Sequence, residues 1–250
     1  MASWTWAAAR RRGTSHVRSA TPCQDAHRVT AAADGRTLVA VAADGAGSAK
    51  HGGPGAFIAT RVIAGLAVAH ADAGGELPDD ELLWSWLDEA RDRIGAVAAP
   101  RGASPRDFAT TLVAAVAGEH GAVLGLVGDG VAAIKADGAW SVPSWPEHGE
   151  YASTTYFLTD EPVARLRIVR LDRRPEALML MSDGLERLAL DLAGRKPHAP
   201  FFDTLVGPVQ RSSAAGRDAR LCRSLGAYVG SEAVNARTDD DKTLVIAVAR

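Results

Sequence analysis

The amino-acid sequence predicts a mixed α+β fold in which neighbouring strands are joined by short turns. Two apolar runs at 111–117 and 122–127 flank a turn at 118–121, and a second pair at 131–135 and 140–142 flanks Asp137-Gly138. Such pairs are typical of antiparallel hairpins. The helical patterns at 54–71 and 82–94 follow one another without an intervening strand, which disfavours a parallel βαβ sheet.

The remaining elements are predicted from local patterns. The apolar run at 37–43 indicates a buried strand, Pro54 stands where a first helical turn favours proline, and Asp79 or Asp80 can cap the next helix. Two further strands are predicted at 177–181 and 243–248, and two further helices at 185–192 and 212–229. The stretches rich in loop-forming residues are 45–55, 100–107, 141–150 and 195–200.

Length and composition exclude several classes of protein. The chain has 250 residues, 47% of them apolar, and a formal net charge of −2. It is long enough to bury a large core, and it lacks the basic excess of a nucleic-acid-binding module. Cys23 and Cys222 form neither a disulfide framework nor a zinc site, so we expect a reducing cytoplasm.

No segment of the sequence has the pattern of a membrane anchor or an export signal. The apolar start at 1–9 is followed, not preceded, by the basic run Arg10-Arg11-Arg12. The most apolar stretch, 57–69, contains Thr60 and Arg61 and is too short to span a bilayer. We therefore interpret it as a buried helix and expect neither a membrane nor a nucleic-acid partner.

Aspartates follow several of the apolar runs. Asp44 comes directly after the strand at 37–43, Asp129 follows 123–127, and Asp183 follows 178–181. Asp240 precedes the terminal strand, and Asp25 lies near the N-terminus. A single Asp-Gly pair most often forms a turn, and we interpret two further pairs, at 34–35 and 137–138, in that way.

The set of aspartates is better explained by a metal site. Carboxylates at the ends of adjacent buried strands converge, and without counter-charge they raise one another's pKa. A hard divalent cation removes this conflict, and oxygen ligands favour Mg²⁺ or Mn²⁺ over zinc. Several carboxylates suit two ions about 3.5–4 Å apart, which activate water for phosphoryl transfer.

Six short motifs, taken in order, resemble the PPM/PP2C family of metal-dependent protein serine/threonine phosphatases. The resemblance extends from about residue 13 to residue 248, and the form of 13–25 is similar to a compact bacterial branch. It implies a single domain at 13–250, with 1–12 as an N-terminal extension. It also implies a four-layer αββα sandwich of two antiparallel β-sheets flanked by helices. The motifs are Gln24-Asp25-Ala26, Ala43-Asp44-Gly45, Ala109-Thr110-Thr111, Val127-Gly128-Asp129, Met181-Ser182-Asp183-Gly184 and Asp240-Asp241-Lys242-Thr243.

The resemblance implies roles for individual residues. Asp44 matches the aspartate that bridges two Mn²⁺ or Mg²⁺ ions, and Gly45 matches the residue whose carbonyl oxygen binds one of them. Asp183 and Asp240 match the remaining ligands of the first ion, and Asp25 matches the acid that orients metal-bound water. The implied reaction is direct attack of that water on a phosphoprotein. A cognate serine/threonine kinase is an implied partner, and we expect a monomer.

Several residues depart from the family pattern. Ala46 stands where animal members carry a histidine proposed as the general acid, which leaves His51 and His16 as candidates for that role. Arg18 is the nearest match to the phosphate-binding arginine, although its spacing differs. Asp129 matches an aspartate for a third ion, but the usual partner position holds Arg187, so a third ion is left open.

Two other functions are compatible with the same residues. The chain could be a catalytically weak relative that binds a kinase or a phosphoprotein, since Gln24 and Ala46 depart from the pattern. The same centre could also cleave a small phosphomonoester. The Gly-rich loop at 45–55 does not match a nucleotide-binding motif, because Lys50 replaces a required glycine and no Gly-Lys-Ser/Thr follows.

Overall fold

The structure is a computed structural model, and it describes residues 4–147 and 155–250. The helices are α1 Thr14–Arg18, α2 Gly52–Asp72, α3 Asp80–Ala98, α4 Glu186–Ala189, α5 Ala199–Gln210, α6 Ala219–Val229 and α7 Glu232–Asn235. The strands are β1 Trp4–Arg11, β2 Asp25–Ala32, β3 Thr37–Asp44, β4 Leu112–Gly118, β5 Gly121–Val127, β6 Val131–Ala136, β7 Ala139–Ser141, β8 Arg167–Leu171, β9 Ala177–Met181, β10 Leu190–Asp191, β11 Lys196–Pro197, β12 Gly216–Arg217 and β13 Lys242–Ala249.

Most of the strands form two sheets. The first sheet has the order β2-β3-β4-β5-β8, and every neighbouring pair in it is antiparallel. The second sheet has the order β12-β1-β13-β9-β6-β7 and is antiparallel except where β12 pairs with β1. The predicted hairpins at 111–127 and 131–142 are present as β4-β5 and β6-β7.

The two sheets pack face to face, and helices cover both outer faces. The core between the sheets contains the buried side chains of Trp4, Leu124 and Leu180. Helices α2 and α3 cover the first sheet, and α5 and α6 cover the second through separate apolar clusters. This four-layer αββα sandwich confirms the predicted fold class.

Helix α2 is long and apolar enough to cross a membrane by length and composition, but it packs as a core helix. Its small residues Ala59, Ala64 and Ala67, together with Ile63, lie in the apolar cluster against the first sheet. Small side chains let the helix approach the sheet closely. Helix α3 packs beside it, and its cap is the predicted Asp79, whose Oδ1 accepts a hydrogen bond from Leu82 N.

Residues 4–11 are wrongly predicted as part of an N-terminal extension. They form β1, which pairs with the whole of β13 inside the second sheet, and Trp4 is completely buried. The sequence pattern hides this strand because three consecutive alanines in its middle supply little hydrophobic contrast. The arginines that end it are partly used inside the fold, since Arg10 Nη1 donates a hydrogen bond to Asp25 O.

Two helix predictions are also wrong in extent. The segment 185–192 is helical only over α4, after which the chain enters β10. The segment 212–229 is helical only from 219, because Asp218 accepts hydrogen bonds from two backbone N–H groups and caps α6 there. Helix α5 was not predicted, and its first two residues fall in the predicted loop at 195–200. The predicted loop at 141–150 lies outside the described residues from 148 onward.

Candidate metal centre

A cleft of about 610 Å³ opens where the ends of several strands meet. The end of β3 lies beside the turns that follow β5 and β9 and the turn that precedes β13. These four places supply the acidic and backbone groups that line the cleft: Asp44, Gly45, Asp129, Asp183 and Asp240. The structure thus brings together all five residues that the sequence assigns to metal binding.

Asp25 lies directly beside Asp44. The two residues are opposite each other in the antiparallel pair β2-β3. Gly45 N donates to Gln24 O at 3.2 Å, so Gln24 and Gly45 form a hydrogen-bonded pair. The adjacent Asp25–Asp44 pair is therefore of the non-hydrogen-bonded kind, with Cα atoms about 4.5 Å apart. This is the arrangement in which opposing side chains approach most closely.

The backbone of Asp44 is held by two threonines. Thr110 Oγ1 donates to Asp44 O at 2.9 Å, and Thr111 N donates to the same oxygen at 2.8 Å. Thr111 Oγ1 accepts a hydrogen bond from Asp44 N at 3.1 Å. The resemblance includes the motif at 109–111 without assigning it a role. The structure gives its physical use, which is to fix the position of Asp44 and Gly45.

Close backbone contacts make glycine necessary at two positions beside the cleft. A Cβ atom on Gly45 would lie 2.1 Å from the carbonyl carbon of Gly52, at the start of α2. A Cβ on Gly184 would lie 1.9 Å from Asp241 O. Any larger residue would push the start of α2 away from the loop after Asp44, or the turn that carries Asp183 away from the segment that carries Asp240.

Burial and mutual repulsion perturb the carboxylates of the centre. Burial, helped by the charges of Asp25 and Asp183, raises the pKa of Asp44 well above its usual range. Burial and the charges of Asp129 and Asp240 raise the pKa of Asp183 to about 7. The chain therefore holds several carboxylates in a place where negative charge is unfavourable unless a cation is present.

Asp25 is the most deeply placed of these acids, with 1% of its surface exposed. Burial raises its pKa to about 6, against the lowering effect of the neighbouring Thr243 and Ser182 side chains. Ser182 Oγ donates to Asp25 Oδ2 at 2.8 Å and accepts from Thr243 N at 3.0 Å. Ser182 therefore ties Asp25, in the first sheet, to β13, in the second, a role that sequence analysis missed.

The donor set fits a hard divalent cation. In the described part of the chain, the buried oxygens Asp25 Oδ1 and Asp183 Oδ1 have no hydrogen-bond partner. All candidate ligands are oxygens, which Mg²⁺ and Mn²⁺ prefer. Among the same residues, no three acidic, histidine or cysteine side chains already surround one point at ligand distance. Binding therefore requires small side-chain movements.

Asp240 and its neighbour Asp241 have different surroundings. Asp240 lines the cleft, and its pKa is raised mainly by burial. Asp241 is completely buried, and it accepts hydrogen bonds from Gly13 N at 2.6 Å and Gln24 N at 2.5 Å. These bonds, with His16, outweigh burial and lower its pKa. Asp241 thus attaches the segment 13–24 to the start of β13.

His51 and Arg18 were predicted to be site residues, but the structure places both of them outside the cleft. His51 precedes α2, and its ring packs against Phe108 with the centroids 4.8 Å apart. Arg18 lies in the exposed helix α1 and forms an ion pair with Asp239 at 2.8 Å. His16, the second histidine candidate, does line the cleft, and its Nδ1 lies 3.0 Å from Asp241 Oδ2.

The fold and the acidic cleft together define a two-sheet protein with clustered carboxylates of the kind that suit divalent cations. The sequence pattern of the family described as protein phosphatase 2C matches residues 12–226. The chain therefore belongs to the protein phosphatase 2C family.

Relatives of this chain are found along its whole length. Serine/threonine-protein phosphatase 3 of Escherichia coli K12 is 36% identical over 251 residues, with 98% of each chain covered. The fold is similar to that of Stp1, a serine/threonine phosphatase of Staphylococcus aureus, at a TM-score of 0.65 and 17% identity, covering 100% of this chain and 96% of that one. It is also similar to PppA of Pseudomonas aeruginosa, with a TM-score of 0.66 and 18% identity, covering 100% and 99%.

Proposed function

We propose that this protein removes phosphate from phosphoserine and phosphothreonine in other proteins. The observation that carries the proposal is the placement of Asp44, Gly45, Asp183 and Asp240 around one cleft, with Asp25 beneath them. The family membership and the similarity to serine/threonine phosphatases support the substrate class. Clustered carboxylates are unfavourable in a metal-free fold, so a module used only for binding has no physical reason to keep them.

The residues around the cleft have different roles in the proposed reaction. Asp44, the carbonyl oxygen of Gly45, Asp183 and Asp240 would hold the ions, and Asp129 adds negative charge at the same cleft. When bound, two Mn²⁺ or Mg²⁺ ions supply an activated water and neutralise charge on the phosphoryl oxygens. Asp25 Oδ1 has no partner among the described residues and would be available as a hydrogen-bond acceptor for such a water, while Ser182 holds the other oxygen of Asp25.

We assign the general acid to His16, in place of His51. Asp241 lies beside Nδ1 of His16 and favours a proton on that atom. In the imidazolium form, Nε2 carries the second proton and can pass it to the departing serine or threonine oxygen. Proton transfer matters for these substrates because an alkoxide is a poor leaving group.

Hydrolysis assays test the proposal directly. We expect turnover of a phosphoserine peptide with Mn²⁺ or Mg²⁺, none with a chelator, and none by Asp44→Asn. A comparison of phosphopeptides with small phosphomonoesters at equal concentration tests the substrate class, and higher kcat/KM for the small compounds would overturn it. Absence of metal-dependent turnover on every substrate would overturn the enzymatic function and leave a phosphoprotein-binding role.

The proposed function also includes a cellular setting. We propose that the protein acts as a monomer in the cytoplasm, where a serine/threonine kinase produces its phosphoprotein substrates. Cys23 and Cys222 are free thiols, as expected in a reducing compartment. Sedimentation of the purified protein would test the monomer, and fractionation of the producing cell would test the location.

A further inference from the structure

Two arginines stand at the rim of the acidic cleft. Arg187 lies in α4, four residues after Asp183, and Arg237 lies three residues before Asp240. Both side chains are exposed and both line the cleft. Each of them is therefore carried by the same short segment that carries a proposed metal ligand.

Among the described residues, neither arginine is paired with an acidic side chain. Within 4–147 and 155–250, neither guanidinium forms an ion pair or a side-chain hydrogen bond. Two other exposed arginines near this end of the molecule do have partners. Arg18 is paired with Asp239, and Arg12 Nη2 donates to His16 O at 2.5 Å.

The other positively charged side chains close to the centre form hydrogen bonds within the fold. Lys242 is completely buried, and its Nζ donates to Asn235 Oδ1 at 2.9 Å and to Asp240 O at 3.0 Å. Arg10 donates to the backbone oxygen of Asp25. Among the described residues that line the cleft, Arg187 and Arg237 are the two with a permanent positive charge.

The backbone at both arginines is held in place, although the side chains are exposed. The residues on either side of Arg187 in the chain are constrained, since Leu185 and Ala189 are buried in the core. Arg237 N donates to Val234 O at 2.9 Å, at the end of α7. A fixed backbone limits the region that each guanidinium can reach, and that region includes the cleft.

We propose that Arg187 and Arg237, in place of Arg18, bind the phosphoryl group of the substrate. This inference rests on the proposed phosphatase function. A phosphoryl dianion offers several oxygens to a guanidinium, which binds two of them at once in a planar fork. The two arginines are carried by two different segments of the rim, one in α4 and one after α7, so together they hold the phosphoryl group over the carboxylates.

Direct binding of inorganic phosphate provides the test. Equilibrium dialysis of phosphate against the Mn²⁺-loaded full chain is compared for wild type, Arg187→Met, Arg237→Met and the double variant. We expect the Kd for phosphate to rise about tenfold for each arginine, which corresponds to about 1.4 kcal/mol. Arg→Lys at either position should recover part of the affinity, since it restores charge without the planar fork.

The matched control is Arg93→Met, which removes an exposed arginine from α3, where it pairs with Glu89 at 2.7 Å. It should bind phosphate as the wild type does. The affinity for Mn²⁺, followed by electron paramagnetic resonance, should stay unchanged in all variants. A parallel loss of Mn²⁺ binding would overturn the assignment, because the arginines would then act through the metal site.

The inference and the proposed function fail in different ways. If the wild type shows no hydrolysis, the phosphatase function fails, while phosphate dialysis still measures the arginines. If the wild type is active but the double variant keeps both its phosphate Kd and its KM for a phosphopeptide, the inference alone is overturned. It is also overturned if Arg18→Met weakens phosphate binding as much as the double variant was expected to do.

Discussion

Replacing Asp44 with asparagine removes one negative charge from the centre while nearly preserving the shape of the side chain. The metal-free wild type holds Asp44 among Asp25, Asp183 and Asp240, whose charges all raise its pKa in addition to burial. The protonated form of Asp44 is neutral and resembles asparagine. The variant and the wild type should therefore differ in stability wherever the unfolded wild-type chain has released the Asp44 proton, because the folded chain then either keeps that proton or holds a buried charge.

The neighbouring residues give the size of this effect. A rise in the pKa of Asp183 from 3.8 to about 7 corresponds to roughly 4 kcal/mol for its ionisation at pH 8, at 1.36 kcal/mol per unit of pKa. For Asp25, whose pKa rises to about 6, the figure is roughly 3 kcal/mol. Burial accounts for the largest part of both pKa rises. We therefore expect the free energy of unfolding of metal-free Asp44→Asn to exceed that of the metal-free wild type by about 2 kcal/mol at pH 8.

The sign of the pH dependence follows from proton linkage. A carboxyl group with a raised pKa in the folded state binds protons that the unfolded chain has already released. The metal-free wild type should therefore lose stability as the pH rises from about 4 to 8. The advantage of Asp44→Asn should be small at pH 5 and largest at pH 8.

Urea denaturation in the presence of a chelator, at pH 5 and pH 8, measures these differences. Asp34→Asn is the matched control, because Asp34 is an exposed turn residue with φ +57°, a conformation that asparagine also adopts. Added Mn²⁺ should stabilise the wild type by about 2.7 kcal/mol at 100 times its Kd and should have little effect on the variant. The reasoning is refuted if metal-free Asp44→Asn is no more stable than the wild type at pH 8.

Three further substitutions test the contacts around the centre. Ser182→Ala leaves buried polar groups of both sheets without a partner and should lower the free energy of unfolding by about 1–3 kcal/mol, measured by urea denaturation. Asp241→Asn should release the segment 13–24, which limited proteolysis would detect as new cleavage there, and an unchanged digestion pattern would contradict the assignment. His16→Asn should slow hydrolysis of a phosphoserine peptide by about 100-fold while sparing an aryl phosphate. His51→Asn should affect neither substrate, and a larger effect than that of His16→Asn would reverse the assignment.

Much of the fold is predictable from the sequence because its signals are local. The β4-β5 and β6-β7 hairpins follow from apolar runs around tight turns, and α3 follows from its apolar spacing and the cap at Asp79. Strand β1 does not show in the sequence, because its alanines are neither strongly apolar nor strongly alternating. Its place is decided by eight residues of pairing with β13 at the far end of the chain.

The functional site divides in the same way between local and long-range information. The aspartates can be selected from the sequence, because an acid directly after a buried strand end is a local pattern. The choice between Asp240 and Asp241 is not local. Both are acids before the same strand, and they differ because Asp241 meets the backbone N–H groups of Gly13 and Gln24, more than 200 residues away.

By itself, the sequence determined the fold class, the family and the set of carboxylates that suit divalent metals. These depend on residue type and on order along the chain. Tertiary structure alone decided that His16 reaches the cleft while His51 packs on Phe108, and that Arg187 and Arg237 stand at the rim while Arg18 is paired outside it. The physical reason is that hydrogen bonds and ion pairs act over a few ångströms. Which partner a charged side chain meets therefore depends on how the two sheets and their loops are packed, and residue spacing carries no record of that packing.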